Sequence, residues 1–143
     1  MYRQILVAIE HSVADETIVE HVEKLARLAG SRLLLAHVAD GWAARHFDEL
    51  NLRESEEMRE DRAYLEALEG QLRGRGIEVE SFLAMGDPAS EICRVAHDRA
   101  VDLIAMATHG HRGVSDIIHG QTADAVRHRV SIPVLLLRAK RPR

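Results

Sequence analysis

Short, wholly apolar runs alternate along the chain with longer stretches whose apolar residues recur every three or four positions. Ile5 to Ile9 reads I-L-V-A-I and Leu33 to Val38 reads L-L-L-A-H-V. Strands buried on both faces of a parallel sheet have this character. His37 interrupts the second run, and a histidine there is expected to be a hydrogen-bonded core residue rather than a ligand. Between the two runs Ala14, Ile18, Val22, Leu25 and Ala29 form one stripe, and Asp15, Glu16, Glu20, Glu23 and Lys24 fall on the opposite face, which predicts an amphipathic helix. Ser12 followed by Asp15 resembles a capping box at its start, and Gly30 is placed to stop it.

Residues 39 to 50, with Trp42, His46 and Phe47, read as a loop or irregular segment. A strongly charged stretch from about Asn51 to Arg73 follows. Met58, Leu65, Leu68 and Leu72 run a heptad-like line through it, so it is expected to be an exposed helix whose charges form a solvated face. Gly74 and Gly76 end it. Ile77 to Ala84 alternates, with Ile77, Val79, Ser81 and Leu83 set against Glu78, Glu80 and Phe82, the pattern of an edge strand. Asp87 fits an N-cap and Pro88 the first position of the next helix. Ala89, Ile92, Ala96 and Ala100 are expected to be its buried side. Leu103 to Met106 is a further strand. Ala123, Val126 and Val130 mark a helix after it, and Val134 to Leu137 a last strand. Strands alternating with helices in this way predict an α/β fold, a parallel sheet with helices on both faces.

Composition narrows the function classes. A chain of 143 residues suits one domain spanning 1–143. Aromatic residues make up 3% and the net charge is −4, which argues against base-stacking and phosphate-tracking nucleic-acid modules. The one basic cluster is the tail Arg138, Lys140, Arg141, Arg143, expected to be solvated. A single cysteine, Cys93, allows no intrachain disulfide and no cysteine zinc cluster. No stretch is apolar enough to span a bilayer, so no membrane insertion and a cytoplasmic location are expected.

Candidate chemistry gathers after the first and fourth strands, because open parallel sheets bind ligands beyond the carboxyl ends of their strands. Glu10, His11 and Ser12 follow the first. Ala107 to Gln121 follows the fourth, with Gly110, Gly113 and Gly120 in it. Gly120 is expected to open the next helix, where free N–H groups and the helix dipole attract phosphate. His111 and Arg112 could supply positive charge, and Gln121 and Thr122 hydrogen bonds. His109, His111 and His119 lack a cysteine partner and have only Asp116 nearby, so no structural metal is expected.

With these residues in view, the chain resembles the universal stress protein family, within the adenine-nucleotide α-hydrolase-like superfamily. The resemblance lies in I-L-V-A-I-E-H-S, L-L-L-A-H-V, G-D-P-A-S-E-I and A-T-H-G-H-R-G…H-G-Q-T-A-D-A-V…I-P-V-L-L-L. It implies a single doubly wound, open five-stranded parallel sheet of order 3-2-1-4-5. ATP-binding members resemble Gly-x-x-Gly, nine residues, Gly-Ser/Thr. Here Ala107 stands for the first glycine, Gly110 and Gly120 keep their places, and Gln121 replaces Ser or Thr; Glu10 stands where the family usually has Asp. The resemblance implies a bound ATP or another adenine nucleotide, possibly with Mg. Its base would lie against Ala8, Ile9 and the backbone of Val38, with Glu10 on the ribose or metal side. Gly110, His111, Arg112, Gly120, Gln121 and Thr122 would surround the phosphates, and Met106, Ala107 and His109 complete the set. It also implies a homodimer through Val134, Leu135, Leu136 and Leu137, and an unidentified protein partner is possible.

The leading expectation is therefore a nucleotide-binding regulatory module of the stress response. A dimeric interaction module that does not use nucleotide is the first alternative, and a slow ATP hydrolase the second. The glycine-rich loop of ATP pyrophosphatases of related fold has no counterpart at Glu10 to Asp15, which argues against that chemistry.

Overall fold

The computed structural model describes residues 1–39, 51–108 and 114–140, and the side chains of 51–55 and 114–120 are outside that description. The elements run β1 (Gln4–Ala8), α1 (Ala14–Ala29), β2 (Arg32–Ala39), α2 (Asn51–Gly74), β3 (Val79–Met85), α3 (Pro88–Asp98), β4 (Leu103–Thr108), α4 (Val114–Arg129) and β5 (Val134–Arg138). The five strands form one sheet of order β3-β2-β1-β4-β5, and every neighbouring pair is parallel. That is the expected architecture and order.

Strand parity sorts the core into two layers, because successive side chains leave a strand on opposite faces. Ile5, Val7, Leu33, Leu35, Leu103 and Ala105 pack with Ile18, Val22, Leu65 and Leu72 from α1 and α2. Leu6, Ala8, Leu34, Ala36, Ile104 and Met106 pack with Ala89, Ile92, Val95, Ala123 and Val126 from α3 and α4. Central strands therefore need apolar residues at every position, which is why their sequences show no alternation.

Local chemistry sets the helix ends. Gly30 closes α1 at φ 68°, a left-handed conformation that costs glycine nothing. Asp87 caps α3 by accepting the Ser90 N–H at 2.9 Å, and Pro88 follows it. The Ser90 hydroxyl and N–H hold the Asp87 carboxyl below its ordinary range. Cys93 is half-buried on α3, and burial pushes its thiol up.

Several positions differ from the sequence reading. Asp15 is 2% exposed rather than on the solvated face of α1. The stripe of that helix continues through Ala26, while Ala29 is exposed. Val95 completes the buried side of α3. Ala100 lies beyond its end, exposed and at φ 52°. The helix expected to open at Gly120 begins at Val114, so Gly120 lies inside α4. One glycine costs a helix only about 1 kcal/mol relative to alanine, too little to mark a boundary by itself.

Candidate functional site

The sheet order sends the chain from β1 to β2 on one side, and β4 continues the sheet on the other, so the crevice opens between the carboxyl ends of β1 and β4. A cleft of about 600 Å³, partly open to solvent, lies there. Ala8, Ile9 and Glu10 line it from the exit of β1, Ala36, His37 and Val38 from β2, and Met106 and Ala107 from β4. Pro88 and Ile92 of α3 and Thr122 of α4 complete it. Seven of the residues singled out in the sequence, namely Ala8, Ile9, Glu10, Val38, Met106, Ala107 and Thr122, thus share one cleft. Gln121 is exposed and is not among the lining residues. His109, Gly110, His111 and Arg112 lie outside the described residues.

The base of the cleft is shaped by where the β1–β2 ladder stops. Arg32 N–H donates to the Arg3 carbonyl, and Ile9 N–H donates to the Ala36 carbonyl. Continuing that register, Val38 N–H would donate to the Ile9 carbonyl, and His11 N–H to the Val38 carbonyl. Neither rung forms. The Ile9 carbonyl accepts from His37 Nδ1 at 2.7 Å, and His11 N–H donates to Asp15 Oδ2 at 2.9 Å. The paired register accordingly ends at Ala8 and Ala36. Val38 is left with its N–H and its C=O directed toward the β1 side, where among the described residues neither has a ladder partner.

Asp15 organises the turn that takes β1 away. Its carboxylate accepts the N–H groups of Glu10, His11 and Ser12 at 2.9, 2.9 and 3.2 Å, and the Tyr64 hydroxyl at 2.6 Å. Half of the expected capping box is present: Asp15 reaches back to Ser12, but the Ser12 hydroxyl accepts from Ala14 N–H instead of Asp15 N–H, and donates to Glu10. His11 takes φ 62° within this turn. Burial, then the bond to Asp15, raises the Tyr64 phenol above its ordinary range.

Helix α2 closes the site from behind. Asp61 Oδ1 lies 2.7 Å from His11 Nδ1, and Asp61 Oδ2 lies 3.3 Å from His37 Nε2. The His11 ring stacks on Tyr64 with centroids 4.0 Å apart. His37 is therefore a hydrogen-bonded histidine, as expected, but one at the edge of the cleft. Asp61 belongs to the charge run expected to be solvated, and it instead meets His11 and His37. The signal was present: Asp61 falls in the 58, 61, 65, 68, 72 line, an acid in the apolar seam.

The model of the universal stress protein family matches residues 1–138. The chain belongs to the universal stress protein family. It is 26% identical over 157 residues to the universal stress protein MJ0577 of Methanocaldococcus jannaschii, covering 98% of this chain and 97% of that one. The solved structure of MJ0577 superposes with a TM-score of 0.83 at 27% identity, covering 99% of both chains. Two further solved universal stress proteins share the fold. One, from Archaeoglobus fulgidus in complex with dAMP, has a TM-score of 0.70 at 23% identity, covering 94% of this chain and 97% of that one. The other, in complex with cAMP, has a TM-score of 0.70 at 16% identity, covering 97% and 98%. Among the described residues no helix of this universal stress protein is long and apolar enough to cross a membrane, and no group of three or more His, Cys, Asp or Glu could hold a metal ion.

Proposed function

We propose that this universal stress protein binds an adenine nucleotide, ATP foremost, between β1 and β4 and acts as a nucleotide-responsive regulatory module. The observation that carries the reading is the open backbone pair of Val38 beside an apolar slot. Adenine has a flat apolar body, an amine donor at N6 and a ring acceptor at N1 next to it. Val38 offers an acceptor and a donor on one edge, and Ala8, Ile9, Ile92, Met106 and Ala107 offer apolar walls. Ligand sites are built in this way, mostly apolar with a few placed polar groups. The adenine ligands of the dAMP and cAMP complexes of the family support it.

Glu10 is then the carboxylate on the ribose side, and a magnesium ion would be held by phosphate oxygens with Glu10 as a nearby carboxylate. Thr122 lines the phosphate side, where the family resemblance would also put Gly110, His111 and Arg112. The family resemblance carries a second part of the proposal, a homodimer through β5.

The test is to purify the protein, denature it and chromatograph the released small molecules, then titrate the stripped protein with ATP and GTP. The expected result is close to one adenine nucleotide per chain, with ATP bound at least tenfold more tightly than GTP. GTP would bring a carbonyl against the Val38 carbonyl and a ring N–H against its N–H. An absence of released nucleotide together with no titratable ATP binding would overturn the proposal.

A further inference from the structure

The missing rung between β1 and β2 coincides with a side-chain bond from His37. Val38 N–H would meet the Ile9 carbonyl in the next step of the ladder. The imidazole of His37 takes that carbonyl instead, at 2.7 Å. A carbonyl only accepts, so Nδ1 carries the proton of this bond. The other ring nitrogen is backed by Asp61 on α2 at 3.3 Å, and the His37 side chain is 13% exposed. The ring is thus held by the exit of β1, and by α2 as well when both its nitrogens carry protons.

We propose that His37 is a positioning residue for the base end of the crevice. By donating to the Ile9 carbonyl it ends the ladder one rung early and keeps the Val38 N–H directed at the N1 acceptor of adenine. In the doubly protonated ring, Asp61 pairs with the other nitrogen and keeps the imidazole in the orientation that does this. The inference rests on the adenine-nucleotide reading above. It adds that base recognition depends on His37 through the backbone of Val38. An apolar residue at 37 would leave the Ile9 carbonyl without its donor. The ladder register aims Val38 N–H at that carbonyl, and the donor would then be spent inside the sheet, since a buried carbonyl is rarely left unpaired.

The experiment compares wild type, His37→Leu and His37→Asn in binding ATP and 1-deaza-ATP, which lacks the ring acceptor N1. Wild type is expected to bind 1-deaza-ATP about tenfold more weakly than ATP, the effect of one hydrogen bond. His37→Leu is expected to lose about tenfold in ATP affinity and nothing further with 1-deaza-ATP. His37→Asn, whose amide nitrogen can donate where Nδ1 does, should stay within about threefold of wild type for ATP. Unchanged ATP affinity in His37→Leu, or an equal loss for both nucleotides, overturns the role of His37 and leaves the nucleotide reading intact. A wild type that binds neither nucleotide overturns both. Hydrogen exchange of wild type gives a test independent of whether His37→Leu folds. The Val38 amide should exchange fast in the free protein and at least tenfold more slowly with ATP bound, and a Val38 amide already protected without nucleotide contradicts the proposal.

Discussion

Asp15 gathers three backbone N–H groups and the Tyr64 hydroxyl on one carboxylate while 2% exposed. These contacts fix the turn that carries Glu10 past the crevice, so the residue acts on both stability and site shape. Asp15→Ala leaves several donors without their partner, at about 1 to 3 kcal/mol for each buried group. Partial access to water lowers the sum, and the expected loss is about 3 kcal/mol by urea unfolding. A loss under about 1 kcal/mol would show that the turn holds itself without the carboxylate. The sequence hid this role for a physical reason. Periodicity sorts residues by polarity, and an acid on a helix counts as solvated unless its acceptors are known to be in demand. Ser12 and Asp15 did signal the helix start, but the three N–H groups converging there depend on how β1 exits the sheet.

At the scale of elements, helix ends and apolar seams were more legible than the partners of charged residues. Asp87-Pro88 gave the start of α3 and Gly30 the end of α1, because capping depends on local backbone geometry. Gly120 misled, since a glycine can sit inside a helix and α4 extends upstream to Val114. In α2 the line through Met58, Leu65, Leu68 and Leu72 was readable. That Asp61 in the same line meets two histidines required the tertiary contact. The cap of α3 has a pH signature. Ser90 holds the Asp87 carboxyl below its ordinary value of 3.8. A carboxylate with a depressed native pKa contributes stability above the unfolded value, and the contribution is lost as pH falls through the native one. Asp87→Ala should therefore cost about 1 kcal/mol at pH 7. The gap from wild type should narrow as pH falls from just above 3.8 through the lowered native value. Thermal unfolding of both proteins from about pH 2.5 to about pH 7, across the ordinary carboxylate range, checks the sign. A gap that widens on acidification would contradict it.

For the molecule as a whole, the alternation of strands and helices was enough for a parallel sheet, whereas the order β3-β2-β1-β4-β5 came from the family resemblance. The order leaves two edges, and they differ in chemistry. β3 carries Glu80, paired with Arg99, while β5 reads V-L-L-L-R with no charge before Arg138. Exposed edges free of charge invite pairing with another chain, which makes β5 the edge to test for the proposed dimer. The ladder with β4 says which groups are available. Ile104 N–H donates to the Pro133 carbonyl, and Ala139 N–H donates to the Thr108 carbonyl. In that register Leu135 and Leu137 turn their N–H and C=O groups to β4, and Leu136 turns its own outward. The Leu136 residue is also 39% exposed. Leu136→Pro removes a donor that the sheet itself does not use, and proline is tolerated on an edge strand when its N–H position faces outward. If two copies pair through β5, wild type should run as a dimer by light scattering at micromolar concentration, roughly the range of modest interfaces. Leu136→Pro should then run as a monomer with its ATP affinity within about twofold of wild type, since the crevice lies on the far side of β4. A wild-type monomer, or a dimer that survives Leu136→Pro with its affinity unchanged, would remove β5 as the interface.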